Sequence, residues 1–314
     1  MLDFCSLYSG SSGNCLFVRT GKTKILVDCG TSLKKVQEGL IQIGEKIEDI
    51  DAILVTHEHV DHVQSLGNAS KKFDIPVFVN FETLEAMPKQ KEKIDMHNQK
   101  LFEVGKEFSI GDLAINSFSI PHDATNPCGF NIYTNKSKFT IATDLGHMDN
   151  DLINHMKVSA FILLESNYDP EILKYSKYPY SLKQRIAGPK GHLPNDMAGK
   201  TISELSKFDL KEVMLGHLSK ENNFPELAYQ TVIEELQSSN IDINELRLSV
   251  ASRYNPSKII KISWKIQEIF CYNFLILLIF SIINLFKTFL MIINKVMTAK
   301  ILRITTNITS FILN

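Results

Sequence analysis

The sequence has few cysteines, and none of them forms a paired motif. Its 314 residues contain five cysteines, an odd number, with no Cys-x-x-Cys spacing. This pattern excludes a disulfide framework and favours reduced thiols. The N-terminus also lacks the basic segment and apolar stretch of a secretory signal. We therefore expect a cytoplasmic protein.

An excess of charge of either sign is also absent. Lys and Arg number 34 and Asp and Glu number 35, so the formal net charge is −1. This balance gives no overall basic field for nucleic acid, although it leaves room for a local basic patch. The hydrophobic content of 44% and charged content of 22% are typical of a globular protein with a large core.

Histidine, in contrast, is concentrated in one short segment. The run Thr56–His62 has the pattern His-x-His-x-Asp-His and directly follows the apolar run Ala52–Val55. Neutral imidazole suits zinc and its neighbours, and a carboxylate suits harder ions or a bridging position. A buried strand that leads into this segment predicts a site for two metal ions held side by side.

The apolar periodicity predicts strands in both halves of the chain, with helices between some of them. Strand patterns cover 2–8, 14–19, 23–28, 52–56, 75–80, 107–110, 113–120, 130–134, 138–143, 160–164 and 212–215. Helical spacing covers 32–42, 63–73, 149–156, 195–206 and 225–237. This mixture indicates an α/β fold in which sheets pack face to face with helices outside.

More candidate ligands lie directly after apolar runs, where a strand can hold a side chain steady. They are His122, Asp144 and His217. We expect two metal sites, the first built by His57, His59 and His122, the second by Asp61, His62 and His217, with Asp144 bridging the two ions. Each ion then keeps an open position for water. Two ions about 3.5–4 Å apart would lower the pKa of that water and produce a hydroxide nucleophile.

Asp61 and His192 are the candidate catalytic residues. His192 lies in the loop 188–195, which glycine and proline shape on both sides. Its imidazole is placed to donate a proton to a leaving oxygen or to contact a phosphate. A solvent-facing loop histidine is the alternative. The basic residues Lys183, Arg185 and Lys190 are candidates for phosphate contacts, again with a solvated loop as the alternative.

Asp28 ends an apolar run and is expected to support the histidine segment. It follows Ile25–Val27, and its carboxylate is suited to hold the backbone or an imidazole of that segment. The neighbouring Cys29 is interpreted as a buried, inert thiol. Zn²⁺ is the first expectation for the metal, with Mn²⁺ and Fe²⁺ as alternatives, because histidine-rich sites with a bridging carboxylate accept all three.

With these residues assembled, the chain resembles the metallo-β-lactamase-fold hydrolases over about residues 1–262. Asp28, the 57–62 segment, His122, Asp144 and His217 match the five motifs of that family in order. The resemblance implies an αβ/βα sandwich, in which two mixed sheets lie face to face between outer helices. It also implies a metal centre in a cleft at one edge of the sheets.

Within that superfamily, the chain is most similar to the YycJ/WalJ (VicX) group of bacterial proteins. The similarity rests on four stretches, namely Ser9–Asn14, Thr143–His147, Gly191–Leu193 and Leu215–Ser219. It implies DNA exonuclease activity and, by gene context, an association with a two-component system for cell-wall control. DNA is accordingly the expected partner, as substrate.

Three functions remain open at this point. The first is a phosphodiesterase, in particular a 5′-to-3′ DNA exonuclease, which the His192 loop favours. The second is a thioester hydrolase of the glyoxalase II type, which shares the same ligands. The third is a membrane-associated accessory or regulatory protein in which the metal core is mainly a binding module.

The third function is motivated by the last part of the chain. Residues 263–314 form a hydrophobic tail, and 270–293 is rich in Phe, Leu and Ile. That segment is long enough to cross a bilayer, which takes roughly 20 residues, but its polar residues also fit a helix that lies on the surface. A segment without a role is the further alternative. We expect a hydrolase domain at 1–262 and a separate tail.

Overall fold

The computed structural model describes residues 2–134, 137–208 and 210–262. Within these ranges there are fourteen strands: β1 (Leu2–Tyr8), β2 (Cys15–Arg19), β3 (Lys24–Val27), β4 (Ala52–Leu54), β5 (Val77–Asn80), β6 (Gln99–Phe102), β7 (Glu107–Ile110), β8 (Leu113–Ser119), β9 (Cys128–Thr134), β10 (Ser137–Ala142), β11 (Phe161–Glu165), β12 (Glu212–Gly216), β13 (Arg247–Val250) and β14 (Ile260–Ile262). Most of them match the strands that the sequence predicts. Three short strands were not predicted, namely β6, β13 and β14. All three are edge strands and have little apolar patterning.

The strands form two seven-stranded mixed sheets. The first has the order β14-β1-β2-β3-β4-β5-β6, and the second has the order β13-β12-β11-β10-β9-β8-β7. Strands β3 to β6 run parallel to one another, as do β10 to β13. The carboxyl ends of these parallel strands therefore lie together at one edge of each sheet.

Ten helices connect the strands in the described ranges: α1 (Leu33–Gln42), α2 (Val60–Val63), α3 (Leu66–Phe73), α4 (Phe81–Ala86), α5 (Pro88–Lys91), α6 (Asn150–Met156), α7 (Pro170–Tyr175), α8 (Tyr180–Ile186), α9 (Asn195–Ser206) and α10 (Pro225–Ser238). The predicted helix 63–73 is present over Leu66–Phe73 as α3, but its predicted start is wrong, because Val63 is the last residue of α2. Ser65 leaves the helical conformation because its N–H donates to the carbonyl of Cys29 at 2.9 Å.

Three apolar layers account for the architecture. Between the sheets, Phe4, Phe139 and Phe161 pack with ring centroids 4.8–5.2 Å apart. A second layer joins the first sheet to α1 and α3, and a third joins the second sheet to α6, α9 and α10. The predicted arrangement of two facing sheets between outer helices is confirmed.

The predicted hydrophobic tail lies outside the described residues. This applies to the whole of 263–314, including the segment 270–293 that motivated a membrane association. Among the residues that the structure does describe, none of the helices combines the length and apolar character needed to cross a bilayer.

Candidate metal centre

The candidate site lies where strands of both sheets end. Asp28 and the histidine segment follow β3 and β4, whereas Asp144 and His217 follow β10 and β12. Asp28, Asp144 and His217 have positive φ angles of 63°, 64° and 55°. Left-handed backbone at residues other than glycine costs about 1–3 kcal/mol each and persists where the surroundings impose it. The backbone turns sharply at these three positions, and their side chains meet in one centre.

The first predicted set of ligands is assembled as expected. Ligand atoms of His57, His59 and His122 all lie within 4.8 Å of one another. His122 Nε2 lies 3.2 Å from Nδ1 of His59. His57 and His122 are buried, whereas His59 is half-exposed.

The second predicted set is also assembled. Ligand atoms of Asp61, His62 and His217 lie within 4.8 Å of one another. Oδ2 of Asp61 is 3.4 Å from Nε2 of His217 and 3.6 Å from Nε2 of His62. Asp61 and His62 lie on α2, so the histidine segment is partly helical and not a plain loop.

Asp144 connects the two sets through its two oxygens. Its Oδ1 is 3.6 Å from Nε2 of His122 and 3.5 Å from Nε2 of His217. Its Oδ2 is 3.4 Å from Nε2 of His62. A carboxylate in this position can bind two cations at once.

The chemistry of these atoms fits divalent metal ions. Among the described residues, the buried His57 Nε2 and Asp144 Oδ2 have no hydrogen-bond partner. Such atoms are rare in folded proteins, because an unpaired buried polar atom is costly. The ligand nitrogens and carboxylate oxygens lie less than 5 Å from one another. Cations bound between them would give both unpaired atoms a partner.

The other ring nitrogens of the predicted ligands are held by hydrogen bonds. Nδ1 of His62 donates to Asp28 Oδ2 at 2.8 Å. Nδ1 of His57 lies 3.0 Å from the hydroxyl of Thr56, which in turn donates to Asp28 at 2.8 Å. These bonds fix the tautomers so that Nε2 of both rings faces the centre. Asp28 thus contacts both the backbone and an imidazole of the histidine segment, since it also accepts the N–H of Thr56.

Glu165 is a functional candidate that is absent from the predicted residues. It ends β11 and is fully buried. Its Oε1 accepts Nδ1–H of His192 at 2.8 Å and of His217 at 2.9 Å, and its Oε2 accepts the backbone N–H of Leu145 at 2.6 Å. The sequence did contain a signal, because Glu165 follows the apolar run 161–164 just as Asp28 and Asp144 follow theirs.

His192 lies at the centre and not on an outer loop surface. Its ring centroid is 5.2 Å from that of His122 and 5.3 Å from that of His217. It is 21% exposed, and its Nδ1 is 3.8 Å from Asp144 Oδ1. The loop before it also supports the centre, since the carbonyl of Gly191 lies 3.1 Å from Nδ1 of His122.

The Ser9–Asn14 loop ties the two halves of the centre together. The hydroxyl of Ser9 accepts the N–H of His217 at 2.8 Å, and the N–H of Asn14 donates to the carbonyl of Asp61 at 2.8 Å. Nδ2 of Asn14 also lies 3.1 Å from Nε2 of His62. The first loop of the chain therefore contacts ligands from both sheets.

Two of the predicted phosphate contacts, Lys183 and Arg185, lie on α8 and have different partners. Arg185 on α8 forms an ion pair with Asp123, whose Oδ1 is 3.5 Å from Nε2 of His122. Lys183 donates to the carbonyl of Lys174 at 2.7 Å, so its ammonium is directed away. Of the two, Arg185 lies at the entrance to the centre.

The electrostatics of the centre favour positive charge. Burial opposes the charged form of His62, yet the carboxylates of Asp144, Asp28 and Asp61 together raise its pKa to about 9. Burial likewise opposes the charge on His217, but the neighbouring carboxylates raise its pKa well above the ordinary value. Burial lowers the pKa of His57. The carboxylates that favour a charged imidazole at His62 and His217 also favour a bound divalent cation there.

Comparisons with known proteins agree with this geometry. A family model described as the metallo-beta-lactamase superfamily matches residues 8–158. The exodeoxyribonuclease WalJ of Streptococcus pneumoniae serotype 2 is 38% identical over 239 residues, which cover 76% of this chain and 89% of that protein. The exodeoxyribonuclease YycJ of Bacillus anthracis is 36% identical over 244 residues, 78% of this chain and 92% of that protein.

Solved structures show the same fold at low sequence identity. The metallo-beta-lactamase fold protein YhfI from Bacillus subtilis has a TM-score of 0.59 at 15% identity, over 82% of this chain and 100% of its own. The short form of human tRNase Z has a TM-score of 0.56 at 16% identity, over 83% of this chain and 99% of its own. On the evidence of its relatives and its fold, the chain belongs to the WalJ/YycJ family of the metallo-beta-lactamase superfamily.

Proposed function

We propose that this protein is a two-metal exodeoxyribonuclease that degrades DNA from the 5′ end. The observation that carries the proposal is the position of Asp144, whose two oxygens lie within 3.6 Å of imidazole nitrogens from both sets of ligands. The proposed ligands are His57, His59 and His122 for one ion, Asp61, His62 and His217 for the other, and Asp144 for both. The two exodeoxyribonuclease relatives support DNA as the substrate.

Divalent ions at this centre would supply Lewis-acid chemistry, because they lower the pKa of water and polarise a phosphoryl oxygen. The chain itself positions the reacting groups. Burial opposes the ionisation of Asp61, but the imidazoles of His62 and His217 keep its pKa well below the usual range. Its carboxylate therefore remains an acceptor for a hydrogen bond from the attacking water. At 26% exposure, Asp61 is more accessible than Asp144, which is 2% exposed.

His192 is the proposed proton donor to the leaving oxygen. Its Nδ1–H donates to Glu165, so its Nε2 is the nitrogen that can pass a proton to substrate. The buried Glu165 carboxylate orients the ring through this hydrogen bond, so that Nε2 faces the substrate side. An imidazole placed in this way contributes typically about 100- to 10,000-fold to a rate.

The thioester hydrolase alternative shares the metal ligands but is not favoured. A thiolate leaves without a proton donor more readily than an alkoxide does, so thioester hydrolysis has less need of the Glu165–His192 pair. The WalJ and YycJ relatives, which each align with more than three quarters of the chain, are named as exodeoxyribonucleases. The accessory-protein alternative depended on the segment 270–293, of which the structure describes nothing.

The test is a nuclease screen on protein loaded with Zn²⁺ or Mn²⁺. We expect DNA labelled at its 5′ end to release labelled mononucleotides first, and DNA labelled at its 3′ end to shorten before its label is released. Asp144→Asn and His192→Ala should each reduce the rate at least 100-fold. His97→Ala is the matched control, since His97 is exposed and pairs only with Asp74 on the surface. Intact DNA together with rapid hydrolysis of a thioester would exclude the nuclease.

The boundaries of the catalytic domain are part of the proposal. Strand β14 pairs with β1 in the register Leu2↔Ile262, so residues up to 262 complete the first sheet. A variant that lacks residues 263–314 should therefore retain the exonuclease rate and its metal content. Loss of activity with intact metal binding would show that the tail takes part in function.

A further inference from the structure

A pocket of about 630 Å³ lies next to the segments that carry Glu165 and His217, and the proposed mechanism does not use it. Its wall is formed by Glu171, Ile172 and Tyr175 from α7, by Ser176, Lys177 and Tyr178 from the following turn, and by Glu221. The volume exceeds what a single nucleobase requires and lies in the range of typical small-ligand sites. The pocket is therefore large enough for a planar organic group.

Two chain segments lead directly from the metal centre to this pocket. Glu221 follows His217 by four residues, and a chain of that length spans at most about 14 Å. The segment after Glu165 is bound to the segment after His217, because Asp169 N–H donates to Asn222 at 2.9 Å and Ser219 N–H to Asn167 at 2.7 Å. A strand bound at the centre can therefore reach the pocket.

The pocket presents aromatic rings to solvent. Tyr175 is 75% exposed, and Tyr178 is half-buried beside it. Nearby, Tyr180 begins α8 and is equally exposed. Exposed tyrosines on a wall that also carries a lysine are the kind of surface on which single-stranded bases stack, because every base has a π-face.

Arg253 places a cation beside the segment that leads from His217 to the pocket. Its guanidinium donates to Ser12 Oγ at 3.1 Å and to the carbonyl of Leu218, the residue after His217. Burial lowers the pKa of Arg253, and the nearby carboxylate of Glu221 on the pocket wall opposes that effect. Gly10 allows this position, since a Cβ there would lie 2.7 Å from Nη1.

We propose that this pocket binds a base near the single-stranded end of the DNA substrate, stacked on Tyr175 and Tyr178, while Arg253 contacts the phosphate between that nucleotide and the scissile bond. The inference rests on the proposed exonuclease function and names the form of DNA that it accepts. Among the described residues two N–H groups of the guanidinium donate to protein oxygens, and a guanidinium has five, so others can contact a phosphate.

The test compares a Tyr175→Ala/Tyr178→Ala double variant with a Tyr175→Phe/Tyr178→Phe control. Base stacking on an aromatic ring corresponds to about a five- to 100-fold change in affinity. We expect the alanine variant to raise the KM for a single-stranded oligonucleotide by this factor with little change in kcat, and the phenylalanine variant to behave as wild type. Hydrolysis of bis(4-nitrophenyl) phosphate, which has no nucleobase, should not distinguish the three proteins. Thermal unfolding of each confirms that it is folded.

A second measurement locates the bound base. A single abasic site is moved along the oligonucleotide from its 5′ end, and KM is measured for each substrate. The wild type should show a raised KM at one position, and the alanine variant should show none. A KM that does not depend on the position of the abasic site, or an equal loss on bis(4-nitrophenyl) phosphate, would overturn the inference.

If the exonuclease proposal itself is wrong, the outcome differs from the outcomes that reject the pocket. If the wild type hydrolyses bis(4-nitrophenyl) phosphate but leaves DNA intact, the exonuclease proposal is wrong. Fluorescence anisotropy of a labelled oligonucleotide then tests the pocket separately. Weaker binding to the alanine variant supports the pocket, and equal binding to both proteins rejects it.

Discussion

At the scale of single residues, the centre depends on carboxylates that orient imidazoles. Asp28 and Glu165 each end a buried strand and each hold the Nδ1–H of a candidate ligand, at 2.8 Å for His62 and 2.9 Å for His217. Asp28 is predictable from the sequence because it precedes the histidine segment by one strand. Oε1 of Glu165 accepts hydrogen bonds from two histidines that are 27 and 52 residues away, and nothing local reveals that pairing.

Replacement of Glu165 by glutamine tests this orienting role. Glutamine keeps the shape of the side chain but removes the charge that supports His192 and His217. Loss of such a partner typically costs about 10- to 100-fold in metal affinity or activity. We expect a loss of that size in kcat, accompanied by weaker Zn²⁺ binding in a competition titration with a chelator. Glu85→Gln on the exposed face of α4 is the control and should match the wild type.

Protons and metal ions should compete for His62. Its pKa is raised from 6.5 to about 9, so the folded protein without metal carries a proton there at neutral pH. The stabilisation of the folded state by this proton is fully present below pH 6.5 and is lost as the pH rises through about 9. As the pH rises from 6.5 to about 9, we expect the free energy of unfolding of EDTA-treated protein to decrease. Over the same pH range, the affinity for Zn²⁺ should increase. Denaturant titrations and calorimetry at several pH values measure both quantities.

The contribution of His62 can be separated from other titrations by Asp28→Asn. Without this carboxylate, His62 binds its proton less tightly. The free energy of unfolding and the Zn²⁺ affinity should therefore both depend less steeply on pH. Identical pH profiles for wild type and Asp28→Asn would contradict the assignment.

At the scale of elements, close backbone contacts hold the loops of the centre in register. Gly30 lies shortly after β3 and packs against the backbone of the short helix α2, at Asp61. A Cβ at Gly30 would lie 1.6 Å from the Asp61 carbonyl oxygen, a distance that no side-chain rotation can relieve. The sequence alone does not distinguish this glycine from a turn glycine, because the partner backbone is 31 residues away.

Gly30→Ala should therefore displace the turn at Asp61. Overpacking of this kind costs typically about 1–3 kcal/mol. We expect a lower midpoint in urea unfolding and a reduced content of bound metal. Gly21→Ala is the matched control, since a Cβ at Gly21 meets no atom within 4 Å. Equal effects of the two substitutions would rule out the close contact as the cause.

At the scale of the whole molecule, the centre exists only when the two sheets pack. His57 and His59 come from the first sheet, whereas His122, Asp144 and His217 come from the second. The inter-sheet core, with Phe161 fully buried against Phe4 and Phe139, fixes their distance. Stability of this core and occupancy of the metal centre should therefore change together.

Phe161→Ala tests this coupling. Truncation of a buried phenylalanine costs typically about 3–5 kcal/mol. We expect a loss of unfolding free energy in that range, and a smaller stabilisation by Zn²⁺ if the sheets shift. Phe81→Ala, at a ring that is 57% exposed, should lower the stability by much less. Guanidinium unfolding with and without Zn²⁺ gives both values.

The sequence by itself determined the features that depend on neighbouring residues. Apolar periodicity indicated most strands, and polar residues directly after those strands indicated the candidate ligands, because the end of a rigid strand is where a side chain can be held. The composition of the 57–62 segment indicated a metal, since ligand chemistry is a property of residue type.

Only the tertiary structure decided what depends on distant partners. It placed Glu165 between His192 and His217, set Gly30 against Asp61, and paired β14 with β1 across the full length of the domain. Short edge strands bury little side chain, so their pairing leaves almost no local pattern. The shared carboxylate and the close backbone contact likewise arise from packing between segments, and packing is not encoded at any single position.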